Sequence, residues 1–383
     1  MPLPPRQLPV QRLMRRSRQR AWLGLLGATL TLAWSITLPA TASASTVKPR
    51  HKATRVALKP PPDSPPYGLR DDVQSYIRQL VEAHPEWPAQ WVAHAVGQAH
   101  HLPQVTRLIM PSATGVAKNW AAYRERFIEP QRITAGMAFW ETHADALARA
   151  EATYGVPAAV IVGIVGVETF YGRQTGRLRT IDALATLAFD FPAGRSDRSA
   201  FFRAELTALL ELALRDGLDL DTLQGSYAGA IGWPQFMPSS WLKYAVDFDG
   251  DGRIALQSSP VDAIGSIGRF LAEHGWQRGM RVTYGLSPPS DAGALATLLA
   301  PDIRPGFTAA QMSQLGVALD EDALTHAGPL ALVQLQNGAE APSYVAGTEN
   351  FWSLTRYNWS SYYAMAVIEL GQAVARQRVP LPR

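Results

Sequence analysis

Between Pro157 and Val167 nearly every residue is apolar. Val160, Ile161, Ile164, Val165 and Val167 cover all faces of a helix whose first position Pro157 fits. A helix with no polar face has no place on a surface, so the rest of the chain must supply elements that surround it. At its far end stands Glu168, the only ionisable side chain between Tyr154 and Tyr171, followed by Thr169-Phe170-Tyr171-Gly172. Burial there raises a carboxyl pKa and keeps the group protonated near neutral pH, as a general acid requires. A structural glutamate that caps the helix or pairs with a buried arginine fits the same residues.

The elements around this helix are legible as three- and four-residue apolar spacing. It predicts helices over 73–84, 88–100, 117–127, 133–154, 157–171, 181–190, 199–216 and 262–274, with a last one over 362–376. From Arg281 to Trp352 the texture changes to short β-rich runs (281–284, 331–336, 343–346) among Gly, Pro, Asp and Asn, which predicts a small antiparallel sheet inserted into a helical body. The fold class expected is α+β and mainly α. The divisions are a helical core over 69–280, a β-rich insertion over 281–352 and a C-terminal helix over 353–383 that completes the core.

The N-terminus reads as an export signal. Six arginines from Arg6 to Arg20 precede an uncharged stretch from Ala21 to Leu38, and small residues from Ala40 to Ser45 offer cleavage sites, giving a signal peptide over 1–44. A signal anchor retained in the inner membrane is the alternative. Residues 45–68 form a basic, Pro-rich linker. The formal net charge of +4 belongs to this region: the first 62 residues hold eleven of the 36 Lys+Arg and no acid, leaving 25 basic against 32 acidic residues beyond. The body is therefore acidic, which removes the argument for a nucleic-acid partner. Zero cysteines exclude disulfide scaffolds, thiolate metal sites, cysteine nucleophiles and an acylated lipid anchor.

Two further segments carry chemistry. In Gly225-Ser226-Tyr227-Ala228-Gly229-Ala230-Ile231-Gly232-Trp233-Pro234-Gln235-Phe236-Met237-Pro238-Ser239-Ser240-Trp241, small residues alternate with aromatics, hydroxyls and an amide. That composition suits either a sugar-binding cleft wall, with Trp233 in the cleft, or a tight helix-packing site. In Asp247-Phe248-Asp249-Gly250-Asp251-Gly252-Arg253-Ile254, carboxylates at positions 1, 3 and 5 and Gly at 6 match the start of an EF-hand-like calcium loop, with the Arg253 carbonyl as a further ligand. Position 12 is Ser258, which offers no carboxylate, so Asp262 is the candidate replacement; a polar Asp/Gly turn is the bland alternative.

Taken in order, these segments resemble the membrane-bound lytic murein transglycosylase B family. The resemblance rests on Gly166 to Gly172, Gly225 to Trp241 and Asp247 to Gly252. It extends from Trp120-Ala121-Ala122-Tyr123-Arg124 to Arg356-Tyr357-Asn358 and Tyr363-Ala364-Met365-Ala366-Val367. It implies a lysozyme-like fold acting on peptidoglycan in the periplasm, a structural Ca2+, and wall-synthesis proteins as possible partners. It further implies Glu168 as the single acid and base, cleavage of the β-1,4 bond between N-acetylmuramic acid and N-acetylglucosamine, and 1,6-anhydro products. Tyr123, Arg198, Ser226, Gln235, Tyr357, Asn358 and Tyr363 would line the glycan cleft. The stretch Ala193-Gly194-Arg195-Ser196-Asp197-Arg198 is longer than the family's pattern, which leaves Arg195 as the alternative to Arg198, and Pro234 stands where glycine is common.

Other motifs fail. No H-E-x-x-H spacing occurs among the eight histidines, and Ser240-Trp241-Leu242-Lys243 lacks the companion motifs of penicillin-binding enzymes. Two rivals remain at this level. One is a hydrolytic muramidase with Asp182 or Asp190 as a second carboxylate; the other is a non-catalytic, calcium-stabilised wall-binding protein.

Overall fold

The computed structural model describes residues 64–110 and 118–378. The expected signal peptide over 1–44 and residues 45–63 of the expected linker therefore lie outside the described residues. A 3-10 turn at Tyr67–Leu69 leads into α1 (Asp71–Ala83), α2 (Ala89–Gly97) and α3 (Pro103–Leu108). Asp71 and Asp72 sit in the first turn of α1, where negative charge offsets the helix dipole, and Val73, Ile77 and Leu80 form its buried stripe.

The central layer follows as α4 (Trp120–Glu125), α5 (Pro130–Thr142), α6 (Ala144–Tyr154) and α7 (Ala158–Thr169). The sequence predicts one helix over 133–154; the structure has two. His143 (φ −117°, ψ 27°) ends α5 and begins α6, a break that no Gly or Pro announces. Gly155 (φ 74°) then stops α6, and α7 leaves at 116° to it. Among the described residues no single helix is long and apolar enough to cross a membrane.

Helix α7 is the buried axis, as its apolar faces require. The chain continues through α8 (Thr180–Phe189), α9 (Ser199–Asp216), α10 (Pro238–Tyr244) and α11 (Pro260–Glu273); α8 and α10 pack on α9, and α7 itself packs on α5, α6, α11 and the last helix of the chain. Strands β1 (Leu178–Arg179) and β2 (Gln224–Gly225) pair antiparallel and anchor the segment that begins at Gly225.

The insertion holds more than a sheet. Strands β3 (Thr283–Tyr284), β4 (Leu286–Ser287), β5 (Ala318–Leu319), β6 (Ala331–Asn337) and β7 (Glu340–Gly347) form an antiparallel sheet of order β3-β7-β6 and a separate β4-β5 pair. Between them lie α12 (Ala292–Leu299), α13 (Ala309–Gln314) and α14 (Glu321–Leu324), which the sequence reading did not anticipate. Alternation along β6 sends Ala331, Val333 and Leu335 into the main core. Leu330 and Leu332 turn to a second cluster with Leu298, Met312, Val317 and Ala346.

The chain returns to the core through α15 (Glu349–Thr355) and α16 (Ser361–Arg378). Helices α7 and α16 meet backbone to backbone. A Cβ on Gly163 would lie 2.2 Å from the Val367 carbonyl oxygen, and one on Gly371 2.0 Å from that of Ala159. Glycine at both crossings is what permits this approach.

Candidate active site

Glu168 is the penultimate residue of α7, and the chain turns sharply after Thr169. Phe170 (φ 49°), Tyr171 (φ 54°) and Gly172 (φ 76°) all adopt left-handed backbone, which is unfavourable for the two aromatics. Packing holds the turn: Phe170 N–H donates to the Gly166 carbonyl, Tyr171 N–H to the Val165 carbonyl, and the Arg132 Nη1 also donates to Gly166 O at 2.7 Å. The Thr169 hydroxyl is shared between the Val165 carbonyl at 3.2 Å and the Trp233 carbonyl at 3.3 Å and accepts from Gly172 N–H, joining this turn to the Gly225–Trp241 segment.

Glu168 opens on a pocket of about 260 Å³ whose lining includes Arg198, Ser226, Gln235, Tyr357 and Asn358. It contributes the only carboxyl group to that lining. Glu168 is half-buried at the pocket, and burial pushes its pKa from 4.5 up to about 7. Tyr363 opposes the rise slightly by favouring the ionised form. The phenols of Tyr123, Tyr357 and Tyr363 are all pushed up, first by burial and then by the nearby Glu168 charge, so they remain neutral around the carboxyl.

Five of the seven residues expected to line the glycan cleft do line the pocket; Tyr123 lies near enough to feel the Glu168 charge but is not part of the lining. Gln235 takes left-handed backbone (φ 51°), and its Nε2 donates to the carbonyls of Gly232 at 2.8 Å and Thr175 at 3.3 Å. Ser226 Oγ accepts from the amides of Ala228 and Ala230, shaping the tight loop ahead of Gln235. Arg198 lies over Phe201, 4.5 Å from the ring centroid, with Nη1 buried and without a hydrogen-bond partner. Arg195 instead donates to the Ile109 carbonyl, so Arg198 is the arginine that faces the pocket.

Several expectations need correction. Tyr363 is 2% exposed and acts on Glu168, so it does not form part of the cleft surface. Trp233 does not line the pocket; its ring packs on Gly172 and faces Phe139 at 5.9 Å. Asp182 and Asp190 are unsuitable as second carboxylates. Asp182 is 1% exposed and bound by Arg179 and the His100 amide, while Asp190 is held by Arg70 and the Tyr67 hydroxyl. Phe201, Tyr227, Met237, Arg356 and Trp359 also line the pocket. Tyr227, Met237 and Arg356 sat inside the quoted motifs and Trp359 directly follows one, whereas Phe201 carried no signal.

The acidic loop gathers Asp247, Asp249 and Asp251, all exposed, with a carboxylate oxygen of each within 4.8 Å of the others. Gly252 (φ 88°), the glycine at position 6, supplies the turn, and Gly250 (φ 78°) is left-handed as well. Asp262 stands apart from this cluster. Its Oδ1 accepts from the amides of Phe248 and Asp249 and its Oδ2 from that of Ala255, so it staples the loop to the start of α11. A larger cavity of about 790 Å³ lies between this loop and the end of α9 and is lined by none of the residues around Glu168.

The family model described as "Transglycosylase SLT domain" matches residues 69–372. The chain belongs to that family. It is 41% identical over 323 residues to the membrane-bound lytic murein transglycosylase B of Escherichia coli (strain K12), covering 80% of this chain and 84% of that one. The solved structure of Escherichia coli lytic transglycosylase SLT35 in complex with calcium superposes with a TM-score of 0.70 at 37% identity, covering 87% of this chain and 99% of that chain. SltB3 from Pseudomonas aeruginosa, in complex with NAG-NAM-pentapeptide, gives 0.66 at 28% identity over 79% of this chain and 78% of its own. The fold is lysozyme-like, and the chain is a lytic murein transglycosylase, a glycan lyase acting on peptidoglycan.

Proposed function

We propose that Glu168 alone performs both proton transfers of this reaction. The observation that carries the reading is that the pocket presents one carboxyl group, held near pKa 7 by burial, with no second carboxylate to activate water. Protonated Glu168 gives its proton to the glycosidic oxygen that leaves with N-acetylglucosamine as the C1–O bond breaks. The muramyl acetamido group supports the positive charge at C1. Glu168, now a carboxylate, takes the proton of the muramyl C6 hydroxyl, and O6 bonds to C1 to leave a 1,6-anhydro end. Every atom is accounted for without water, and the apolar walls from Phe201, Tyr227, Met237 and Trp359 help exclude it.

Gln235 and Ser226 border the muramyl ring from one wall, Tyr357 and Asn358 from the other, and Arg198 presents an unpaired cation. The acidic loop suits a calcium ion, because three carboxylates converge from alternate positions and the turn glycine has room; Asp247, Asp249, Asp251 and the Arg253 carbonyl would hold it. Calcium there supplies a structural cross-link and takes no part in proton transfer. Export by residues 1–44 would place the enzyme in the periplasm, where its substrate lies.

Mass spectrometry of muropeptides released from purified sacculi tests the chemistry. Anhydromuramyl products are expected from the wild type and none from Glu168→Gln; reducing ends in place of anhydro ends would overturn the single-carboxyl mechanism.

A further inference from the structure

Two arginines that the mechanism does not use meet beside the Glu168 pocket, over the Trp359 that lines it. Arg356, between α15 and α16, lines the pocket; Arg304 arrives from the insertion, next to Ile303, which is buried in the main core. Both guanidiniums lie over the same indole pair. Arg356 is 4.9 Å from the Trp359 ring centroid and 5.4 Å from that of Trp352, and Arg304 is 5.6 Å from each. The indoles themselves meet edge to face at 5.0 Å.

Two like charges are thus held together by the faces of two tryptophans, with neither guanidinium joined to a carboxylate among the described residues. The crowding of positive charge shows on Arg356 and, through Arg356, on His274. Arg356 is shifted down by burial and by the Arg304 charge, and His274 is shifted down by burial, with Arg356 and Lys243 adding to it. Folding that brings cations together without an anion leaves a place for one from outside.

We propose that Arg304 and Arg356 form an anion subsite at the rim of the cleft that takes a carboxylate of the peptide stem carried by the glycan. The inference rests on the Glu168 pocket being the glycan cleft. The sugar backbone supplies no candidate: N-acetylglucosamine is neutral, and the muramyl lactyl carboxyl is consumed in the amide bond to the stem. Carboxylates of this substrate belong to the stem peptides. Guanidinium forks suit a carboxylate, and Trp359 fixes their direction while itself facing the pocket. The insertion thereby contributes a specificity element to an active site built on the helical core.

The test uses a defined glycan bearing stem peptides, either with free stem carboxyls or with those carboxyls amidated, so that the lactyl amide is the same in both. The expected wild-type preference in kcat/KM for free carboxyls is roughly three- to fivefold, the range for a partly exposed ion pair, and it shrinks with added salt. Arg304→Gln brings the ratio toward one and Arg304→Glu inverts it. A wild type indifferent to amidation, or a ratio unchanged by Arg304→Gln, overturns the subsite. The wild-type comparison needs no variant to fold. Cleavage of both substrates by Glu168→Gln is the separate result that would sink the cleft assignment.

Discussion

The Tyr357 hydroxyl donates to the Pro234 carbonyl at 2.5 Å, across 123 residues of chain. This bond ties the segment between α15 and α16 to the turn that presents Gln235, so two walls of the pocket are held by one phenol. Proline at 234 keeps its carbonyl in place to accept this bond.

Removing that phenol should therefore loosen the pocket without emptying it. Tyr357→Phe leaves a buried carbonyl unsatisfied and is expected to lower unfolding free energy in urea by about 1–2 kcal/mol. Because the released turn carries Gln235, KM should rise as well. A variant with wild-type stability and wild-type KM would show that the bond does not hold the walls together.

Glu168 makes a prediction about pH with two signs. As the acid it must be protonated, so kcat/KM should fall as pH rises through about 7. Its folded pKa is raised above the ordinary 4.5, so the buried carboxylate destabilises the fold by an amount that is absent below 4.5, grows to about 7 and then stays constant. The full shift corresponds to roughly 3 kcal/mol at most, since the residue retains some exposure. Glu168→Gln should accordingly leave the melting temperature at pH 4.5 unchanged and raise it at pH 8, while abolishing cleavage at both. Equal melting temperatures at the two pH values, relative to wild type, would contradict a desolvated carboxyl.

What the residues announced and what they concealed follows from range. The apolar span 158–165 dictated a buried α7, and the acid at its end dictated a perturbed pKa, because both effects are local. The gathering of Asp247, Asp249 and Asp251 was legible for the same reason: Asp at alternate positions with Gly between is a short-range code. The break at His143 was hidden because it depends on how α5 and α6 pack, with no turn residue to mark it. Trp233 was misplaced because an aromatic in a Gly-rich segment carries no sign of which way it faces. The motif puts Tyr363 at the cleft, whereas the fold buries it beside Glu168, because burial is set by how α16 packs and not by the local sequence. The helices of the insertion were obscured by dense Gly, Pro and Asp punctuation, much of which serves as caps, as at Asp291 and Asp320.

Calcium should be detectable as stability. Adding a chelator to the native protein is expected to lower the melting temperature, and restored Ca2+ to recover it. Asp249→Asn should weaken this response, because a carboxylate leaves the cluster. Asp262→Asn should lower stability with and without calcium, since its oxygens accept from three backbone amides. A thermal shift that is insensitive to both chelator and Asp249→Asn would leave the loop as a polar turn.

The turn behind Glu168 offers the sharpest steric test. Gly172 combines a left-handed backbone (φ 76°) with the Trp233 ring, whose nearest atom would lie 2.4 Å from an added Cβ. Gly172→Ala should therefore incur a backbone penalty of about 1 kcal/mol together with a clash that pushes Trp233 aside. Trp233 carries the carbonyl that binds Thr169, so the displacement travels to Glu168, and kcat should fall more than stability alone explains. Combining Gly172→Ala with Trp233→Leu removes the clash but keeps the backbone penalty, so the double variant should recover much of the kcat lost in Gly172→Ala. Melting curves and single-turnover cleavage of the four proteins of this cycle check it. Strictly additive losses would mean that Gly172 and Trp233 do not support Glu168 through a shared contact.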